Sequence, residues 1–405
     1  MNTLLLITLL AQVRYDDLLK SPNADWLTYA GDYKGRSYSP LTQITPANAG
    51  QMTAKWVYHL PKANGNRTRP IVHAGIMYFT ASNEIRALDA RSGRLIWSFK
   101  DSKAKKEAVN RGAAILGDRV YFCTADLHLV ALDRMTGAVI FQKKYGDIDK
   151  GEFASAAPLA LKDKIIVGNG GGDTGMRGYV LALSPEDGHE LWRTYTVPAR
   201  GEKGSETWGN YIEYGGGATW LSGTYDAETD TLYWTTGNPW PDFYGGERSG
   251  DNLFTCSLLA LDGATGKMKW YFQFTPHDTH DWDAQSWPVL VDIPWKGQTR
   301  KVVLHPNRNG FFYVLDRTTG EYLNAYRLVE KLDWASGIDA KGRPILVPGK
   351  DPTPSGNRIC PGVRGAANWM APSWNPATGL LHVITLEQCD IFTSSSKEPE
   401  PKKNF

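Results

Sequence analysis

Five copies of one short pattern constrain this fold more than any other feature: an apolar pair, a turn residue, a glycine and, in most copies, an aromatic four positions later. The copies are Ala87-Leu88-Asp89-Ala90-Arg91-Ser92-Gly93 ending in Trp97, Ala131 to Phe141, Ala182 to Trp192, Ala260 to Trp270, and Val314 to Asn324. Their glycines, Gly93, Gly137, Gly188, Gly266 and Gly320, are separated by 44, 51, 78 and 54 residues, hairpin-sized intervals enlarged by insertions. Short β-branched and aromatic runs precede the motif, as in Ile76-Met77-Tyr78-Phe79 and Val120-Tyr121-Phe122. The Asp-x-x-Thr/Ser-Gly stretch then supplies a turn, because Asp and Ser bond the local backbone and Gly accepts positive φ. Each unit reads as strand, strand, turn, strand. Repeats of this size with a recurring Trp predict an all-β chain, a β-propeller in which the Trp packs between blades.

The composition agrees. Glycine makes up 41 of 405 residues, alongside 15 Trp and 19 Tyr, as a turn-rich and aromatic-rich fold requires. The 45 basic and 43 acidic residues are intermixed, so no basic face marks a nucleic-acid partner. The apolar run Leu4 to Leu10 is much shorter than the ~18 residues of a membrane-spanning helix. It reads as the h-region of an export signal, although no Lys or Arg precedes it. No compositional break divides the remainder. The expected organisation is therefore a signal-like leader over 1–12, one propeller domain over 13–396 and a polar tail over 397–405.

Three stretches carry chemistry. Gly170-Gly171-Gly172-Asp173-Thr174-Gly175 satisfies a dinucleotide-binding pattern, but an apolar strand is expected over 176–183 instead of a helix, so no helix N-terminus is available to hold a pyrophosphate. What remains is a tight glycine loop presenting one carboxylate, Asp173. Pro276-His277-Asp278-Thr279-His280-Asp281-Trp282-Asp283 gathers three carboxylates and two imidazoles. In extended chain Asp281 and Asp283 project to the same side, and paired hard oxygens suit Ca²⁺ better than zinc. The four cysteines, Cys123, Cys256, Cys360 and Cys389, include no haem-attachment motif, and their spacing alone leaves any pairing open.

Together these residues resemble the pyrroloquinoline quinone (PQQ)-dependent alcohol and methanol dehydrogenases, eight-bladed propellers with cofactor and metal on the central axis. The resemblance runs from Asp25-Trp26-Leu27-Thr28-Tyr29 and Arg36-Tyr38-Ser39-Pro40-Leu41 to Leu386-Glu387-Gln388-Cys389. It implies that Arg111, in Asn110-Arg111-Gly112, bonds the quinone's carboxylates and that Trp220 stacks on its ring. It further implies that Asn238, in Gly237-Asn238-Pro239, is a metal ligand, that Arg308 lies near the reactive quinone oxygen, and that Asn368-Trp369 and Ser155 contact the cofactor. A gapless register from Gly250-Asp251-Asn252 places Asp281 at the catalytic base, ahead of Asp283. Asp283 then matches the second aspartate that lanthanide-dependent members use, so the implied cation is Ca²⁺ or a lanthanide held by Asp173, Asn238, Asp281 and Asp283. Cys360 and Cys389 match the family's disulfide.

Three departures accompany the resemblance. Asp173 stands where the family has glutamate, Lys103-Ala104-Lys105-Lys106 replaces a pair of adjacent cysteines, and the chain stops near Phe405, short of the usual length, so the last blades are expected to be missing. The implied activity is periplasmic oxidation of a primary alcohol to an aldehyde. Asp281 takes the hydroxyl proton, hydride passes to the quinone, and electrons leave to a separate acceptor such as a cytochrome c or a quinone. A homo-oligomer formed through open strand edges is a further expectation. A non-catalytic propeller scaffold and a PQQ-dependent sugar dehydrogenase are the alternatives.

Overall fold

The computed structural model describes residues 12–60, 66–209, 212–246, 248–395 and 400. The expected leader, apart from Gln12, and the expected tail, apart from Glu400, lie outside these residues. Five antiparallel four-stranded sheets follow one another along the chain. The first is β1 (Ile71–His73), β2 (Ile76–Ala81), β3 (Glu84–Asp89) and β4 (Leu95–Lys100). The second is β5 (Ala114–Leu116), β6 (Arg119–Cys123), β7 (His128–Asp133) and β8 (Val139–Lys144). The third is β9 (Leu159–Ala160), β10 (Ile165–Gly168), β11 (Tyr179–Leu183) and β12 (Glu190–Tyr195). The fourth is β13 (Thr224–Asp226), β14 (Thr231–Thr235), β15 (Ser257–Asp262) and β16 (Met268–Gln273). The fifth is β17 (Val289–Trp295), β18 (Gln298–Pro306), β19 (Phe311–Asp316) and β20 (Tyr322–Arg327). Three two-stranded pairs come after them: β21 (Ala335–Ile338) with β22 (Pro344–Leu346), β23 (Asn357–Ile359) with β26 (Asp390–Phe392), and β24 (Ser373–Asn375) with β25 (Leu380–His382).

Each sequence repeat is the hairpin between the third and fourth strands of a blade. The Asp behaves as its chemistry demands: Asp89 Oδ1 accepts from the backbone N–H groups of Arg91 and Ser92 at 3.0 and 2.9 Å, and Asp316 does the same for Thr318 and Thr319. The register shifts at the same place in every copy, between Ala87 and Leu88, Ala131 and Leu132, Ala182 and Leu183, Ala260 and Leu261, and Val314 and Leu315. A bulge at one position in each blade imposes the same local twist on all five.

The recurring aromatic docks on the glycine of the next repeat. Trp97 lies against Gly137, Phe141 against Gly188, Trp192 against Gly266 and Trp270 against Gly320. Trp97 also donates its indole N–H to the carbonyl of Arg134 at 3.0 Å. Upstream of the first copy, Trp56 occupies the same station on Gly93, a docking contact that lies outside the five-copy pattern. Gly137 has φ +74°, and a Cβ there would fall 2.7 Å from the Trp97 ring. Gly137→Ala is therefore expected to cost about 2 to 4 kcal/mol, combining left-handed strain with overpacking. Urea denaturation would measure it, and a variant of unchanged midpoint would show that Trp97 yields freely.

The first strand of each blade is innermost, as the contacts of β5 with β9 and of β13 with β17 require. The fourth strands are the most exposed. A segment over residues 26–37 runs across these inner strands. Trp26 pairs with Val72, the Tyr33 carbonyl accepts from Tyr225, the Lys34 carbonyl from Leu290, and the Arg36 carbonyl from Trp374. Along this segment Tyr29 stacks on Trp287 with ring centroids 4.4 Å apart.

Candidate functional site

In an antiparallel blade, the start of the first strand and the loop between the second and third strands lie at the same end. The predicted site residues occupy these two stations. Arg111, Ser155, Trp220, Asp281 and Asp283 immediately precede β5, β9, β13 and β17. Asp173 lies on the β10–β11 loop and Arg308 on the β18–β19 loop. Asn368 and Trp369 precede β24. All nine line one cavity of about 600 Å³. Asn238 does not line it. It is buried just behind, on the β14–β15 connection, with its Oδ1 facing Gly172.

The glycine loop differs in detail from the expectation. Gly172–Thr174 forms a single 3-10 turn, and the next strand begins at Tyr179, not at 176. No α-helix follows, and the turn presents Asp173 to the cavity. The acidic stretch is not extended either. Asp281 has φ +59°, a left-handed conformation that costs a non-glycine residue about 1 to 2 kcal/mol. Its surroundings hold it there. Asp278 accepts from the backbone N–H groups of His280 and Trp282, and Trp282 is fully buried with its indole N–H donated to the Gly362 carbonyl at 3.0 Å. Asp281 and Asp283 thus reach one partner through a bend instead of strand alternation. The two histidines serve structure: His277 Nδ1 bonds the Gly250 carbonyl, and His280 stacks on Trp282 while its Nε2 bonds the Lys350 carbonyl.

Arg308 is the hub. One nitrogen donates to Asp283 Oδ2 at 2.7 Å, the other to Asp281 Oδ2 at 3.2 Å and to the Val363 carbonyl at 2.6 Å. Asp283 is the more heavily engaged of the two, since Trp220 Nε1 also donates to Oδ2 at 3.0 Å and the Asn238 backbone N–H to Oδ1 at 2.6 Å. Its side chain is 5% exposed, whereas that of Asp281 is 22% exposed and bonds only Arg308. Burial, with the negative charge of Asp173 added, lifts the Asp283 carboxyl to about 6 against the pull of Arg308. Burial also holds Asp281 well above the usual carboxylate range, with Asp283 and Asp173 adding to it and Arg308 opposing.

A second group of lining residues is cationic and aromatic, and Trp220 joins it to Asp283. The Arg111 guanidinium lies 4.6 Å from the Trp220 ring and 6.0 Å from that of Trp369, and it donates to the Ser155 and Trp220 carbonyls. Ser155 Oγ donates to the same Trp220 carbonyl. Burial lowers the Arg111 pKa to about 10. Asn110 secures this loop by donating to the Ser82 and Cys123 carbonyls and accepting from the Gly112 N–H. Lys106, within the stretch that replaces the adjacent cysteines, sits over Phe153 at the cavity edge.

Sequence reasoning missed three residues here. Arg67, 5.4 Å over Trp369, and Arg364 both line the cavity, and buried Asp242 accepts from the Asn238 amide at 2.7 Å. Lone arginines in loops carry no local signal. The signal for Asp242 was its place four residues after Asn238. Cys360 and Cys389 form a disulfide, which tethers the segment bearing Arg364, Asn368 and Trp369. Cys123 and Cys256 are free and buried. Among the described residues, no three His, Cys, Asp or Glu side chains converge as a metal cage, and no helix is long and apolar enough to cross a membrane.

Four-stranded blades whose inner ends line one cavity rich in aspartate and arginine define a β-propeller with a charged site. The profile of the glucose/ethanol/alcohol dehydrogenase β-propeller (PQQ) family matches residues 26–330, and the chain belongs to that family. It is 38% identical over 383 residues to a quinohemoprotein alcohol dehydrogenase of Comamonas testosteroni, covering 89% of this chain and 54% of that one. The solved quinohemoprotein alcohol dehydrogenase ADHIIG of Pseudomonas putida superposes with a TM-score of 0.89 at 36% identity, over 98% of this chain and 62% of that one. A europium-containing methanol dehydrogenase superposes with a TM-score of 0.86 at 31% identity, over 92% and 70%. The chain thus spans little more than half the length of the first of these enzymes.

Proposed function

We propose that this chain binds PQQ with a hard cation in the axial cavity and oxidises a primary alcohol to the aldehyde, as an exported protein that passes electrons to a separate acceptor. The cavity lining, with its aspartates and its cluster of arginines and indoles, carries the reading. A flat tricyclic tricarboxylate needs an indole platform and guanidinium partners, which Trp220, Trp369, Arg67, Arg111 and Arg364 offer. The buried Nε atoms of Arg111 and Arg308 have no hydrogen-bond partner, so each retains a donor for a ligand. Asp173, Asp281 and Asp283, with the neutral amide oxygen of Asn238, are oxygen donors of the kind Ca²⁺ or a lanthanide takes, and they would have to draw together to hold the ion.

Held by Trp220, Trp369 and the cavity arginines, PQQ would supply the hydride acceptor, and a cation held by Asp173, Asn238, Asp281 and Asp283 would supply Lewis acidity beside it. The chain's own residues do the rest. Asp281, the carboxylate with free capacity and cavity exposure, takes the alcohol proton. Asp283 stays fixed by its donors as a ligand, and Arg308 places positive charge where negative charge develops. The reading is tested by adding PQQ with Ca²⁺ or La³⁺ and following quinone absorbance and dye-linked ethanol oxidation. Turnover is expected, and a folded chain that binds no quinone would overturn it in favour of a scaffold.

The acidic wall also sets a pH dependence. Asp283 titrates at about 6 in the fold against ~4 unfolded, so the folded state binds more protons between these values. Its contribution to metal-free stability is full below pH ~4 and is lost as pH rises through 6. A cation binds the ionised form and reverses that loss. La³⁺ is therefore expected to raise the melting temperature more at pH 7.5 than at pH 5, and equal shifts would contradict the placement of the cation beside Asp283.

A further inference from the structure

From the Asn238–Asp242 contact we infer that Asp242 is a positioning residue that sets the amide orientation of Asn238, an inference that rests on the cation-binding reading above. An asparagine amide presents an oxygen on one side and a nitrogen on the other, and only the oxygen can ligate a hard cation. In this chain the choice is made by a neighbour. Asn238 Nδ2 donates to Asp242 Oδ1 at 2.7 Å and to the Pro239 carbonyl at 3.3 Å, which turns Oδ1 toward Gly172 and the loop that bears Asp173. The backbone of the same residue is pinned from the other side by Asp283, through the 2.6 Å bond from its N–H. Reversing the amide would put two acceptors together at the Asp242 carboxylate and remove the donor from the Pro239 carbonyl.

Asp242 is 6% exposed, it lies outside the cavity lining, and its carboxylate accepts from the Asn238 amide. Its carboxyl is nonetheless within reach of Asp173, Asp281 and Asp283, and of the buried guanidinium of Arg248, which opposes them. A buried carboxylate beside three others is costly unless positive charge and a donor compensate it. The Asn238 amide is the donor and Arg248 supplies positive charge nearby, to which a cation held by the neighbouring carboxylates would add. Asp242 therefore acts on the cation through Asn238, without touching it.

The test is calorimetric titration of La³⁺ and of Ca²⁺ into the PQQ-loaded chain. Asp242→Leu, close in size and unable to accept, is expected to weaken cation affinity about 10- to 100-fold, the usual effect of removing a partner that orients a ligand. Asp242→Asn restores an acceptor and is expected to stay within a few-fold of the parent. If Asp242→Leu does not fold, Asp242→Ser, too short to reach Nδ2, decides the case in the same titration. Parental affinity in the Leu or Ser variant would overturn the role. An Asn variant as weak as the Leu variant would also overturn it, because charge and not amide orientation would then be what matters. A parent chain that binds PQQ but neither ion would instead overturn the cation-binding reading on which the role rests.

Discussion

Asp281→Asn is expected to lower PQQ-dependent ethanol oxidation by about 10²- to 10⁴-fold while bound-quinone absorbance is retained. The amide keeps the shape of the carboxylate and its contact with Arg308, but it cannot take a proton at neutral pH. The structure makes Asp281 the stronger candidate than Asp283 on simple valence grounds. Asp283 accepts from Arg308, Trp220 and the Asn238 backbone, whereas Asp281 accepts from Arg308 alone and faces the cavity. Asp283→Asn should therefore act first on cation affinity, by disturbing the donors that fix it. A pair of kinetic and calorimetric measurements separates the roles. If Asp281→Asn retains a tenth or more of the parental rate, the base lies elsewhere and the assignment fails.

Arg317→Met is expected to destabilise the fold by about 3 to 5 kcal/mol, the range for breaking a buried ion pair from one side. Arg317 and Asp226 are each 1% exposed and meet at 3.0 Å, and Arg317 also reaches Asp292 at 2.8 Å. Its carbonyl accepts from Tyr233 Oη at 2.7 Å, so one residue joins the fourth and fifth blades by side chain and backbone together. Met fills the space but leaves Asp226 buried and uncompensated. The double variant with Asp226→Leu should recover much of the loss, since an apolar pair of similar volume avoids the desolvation of both charges. Urea midpoints for the two single variants and the double variant would measure this. Single and double variants of equal instability would show that the bridge matters through shape alone.

The blades were legible because their determinants are local. Asp89 and Asp316 close their turns on backbone two and three residues away, and short β-branched and aromatic runs such as Ile76 to Phe79 select strands without reference to distant chain. The docking of Trp97 on Gly137 was readable as a recurring aromatic and a recurring glycine, although the spacing did not say which glycine each aromatic meets. Most of the candidate site was legible through resemblance, and nine of those residues line one cavity. The conformation of the acidic stretch was misjudged. Alternation in an extended strand put Asp281 and Asp283 on one side, but a left-handed residue held by Asp278 and Trp282 does so in the structure.

By itself, then, the sequence determined the all-β repeat and the turn chemistry, since short-range hydrogen bonding and periodicity suffice for these, whereas most of the candidate site residues followed only from the resemblance. Tertiary structure alone decided that Arg308 bridges Asp281 and Asp283, that Arg67 and Arg364 join Arg111 around the cavity, and that Asp242 fixes the Asn238 amide. These pairings link residues from different blades or depend on the path of an irregular loop. Their geometry follows from how neighbouring blades and loops pack against one another, which no single segment determines.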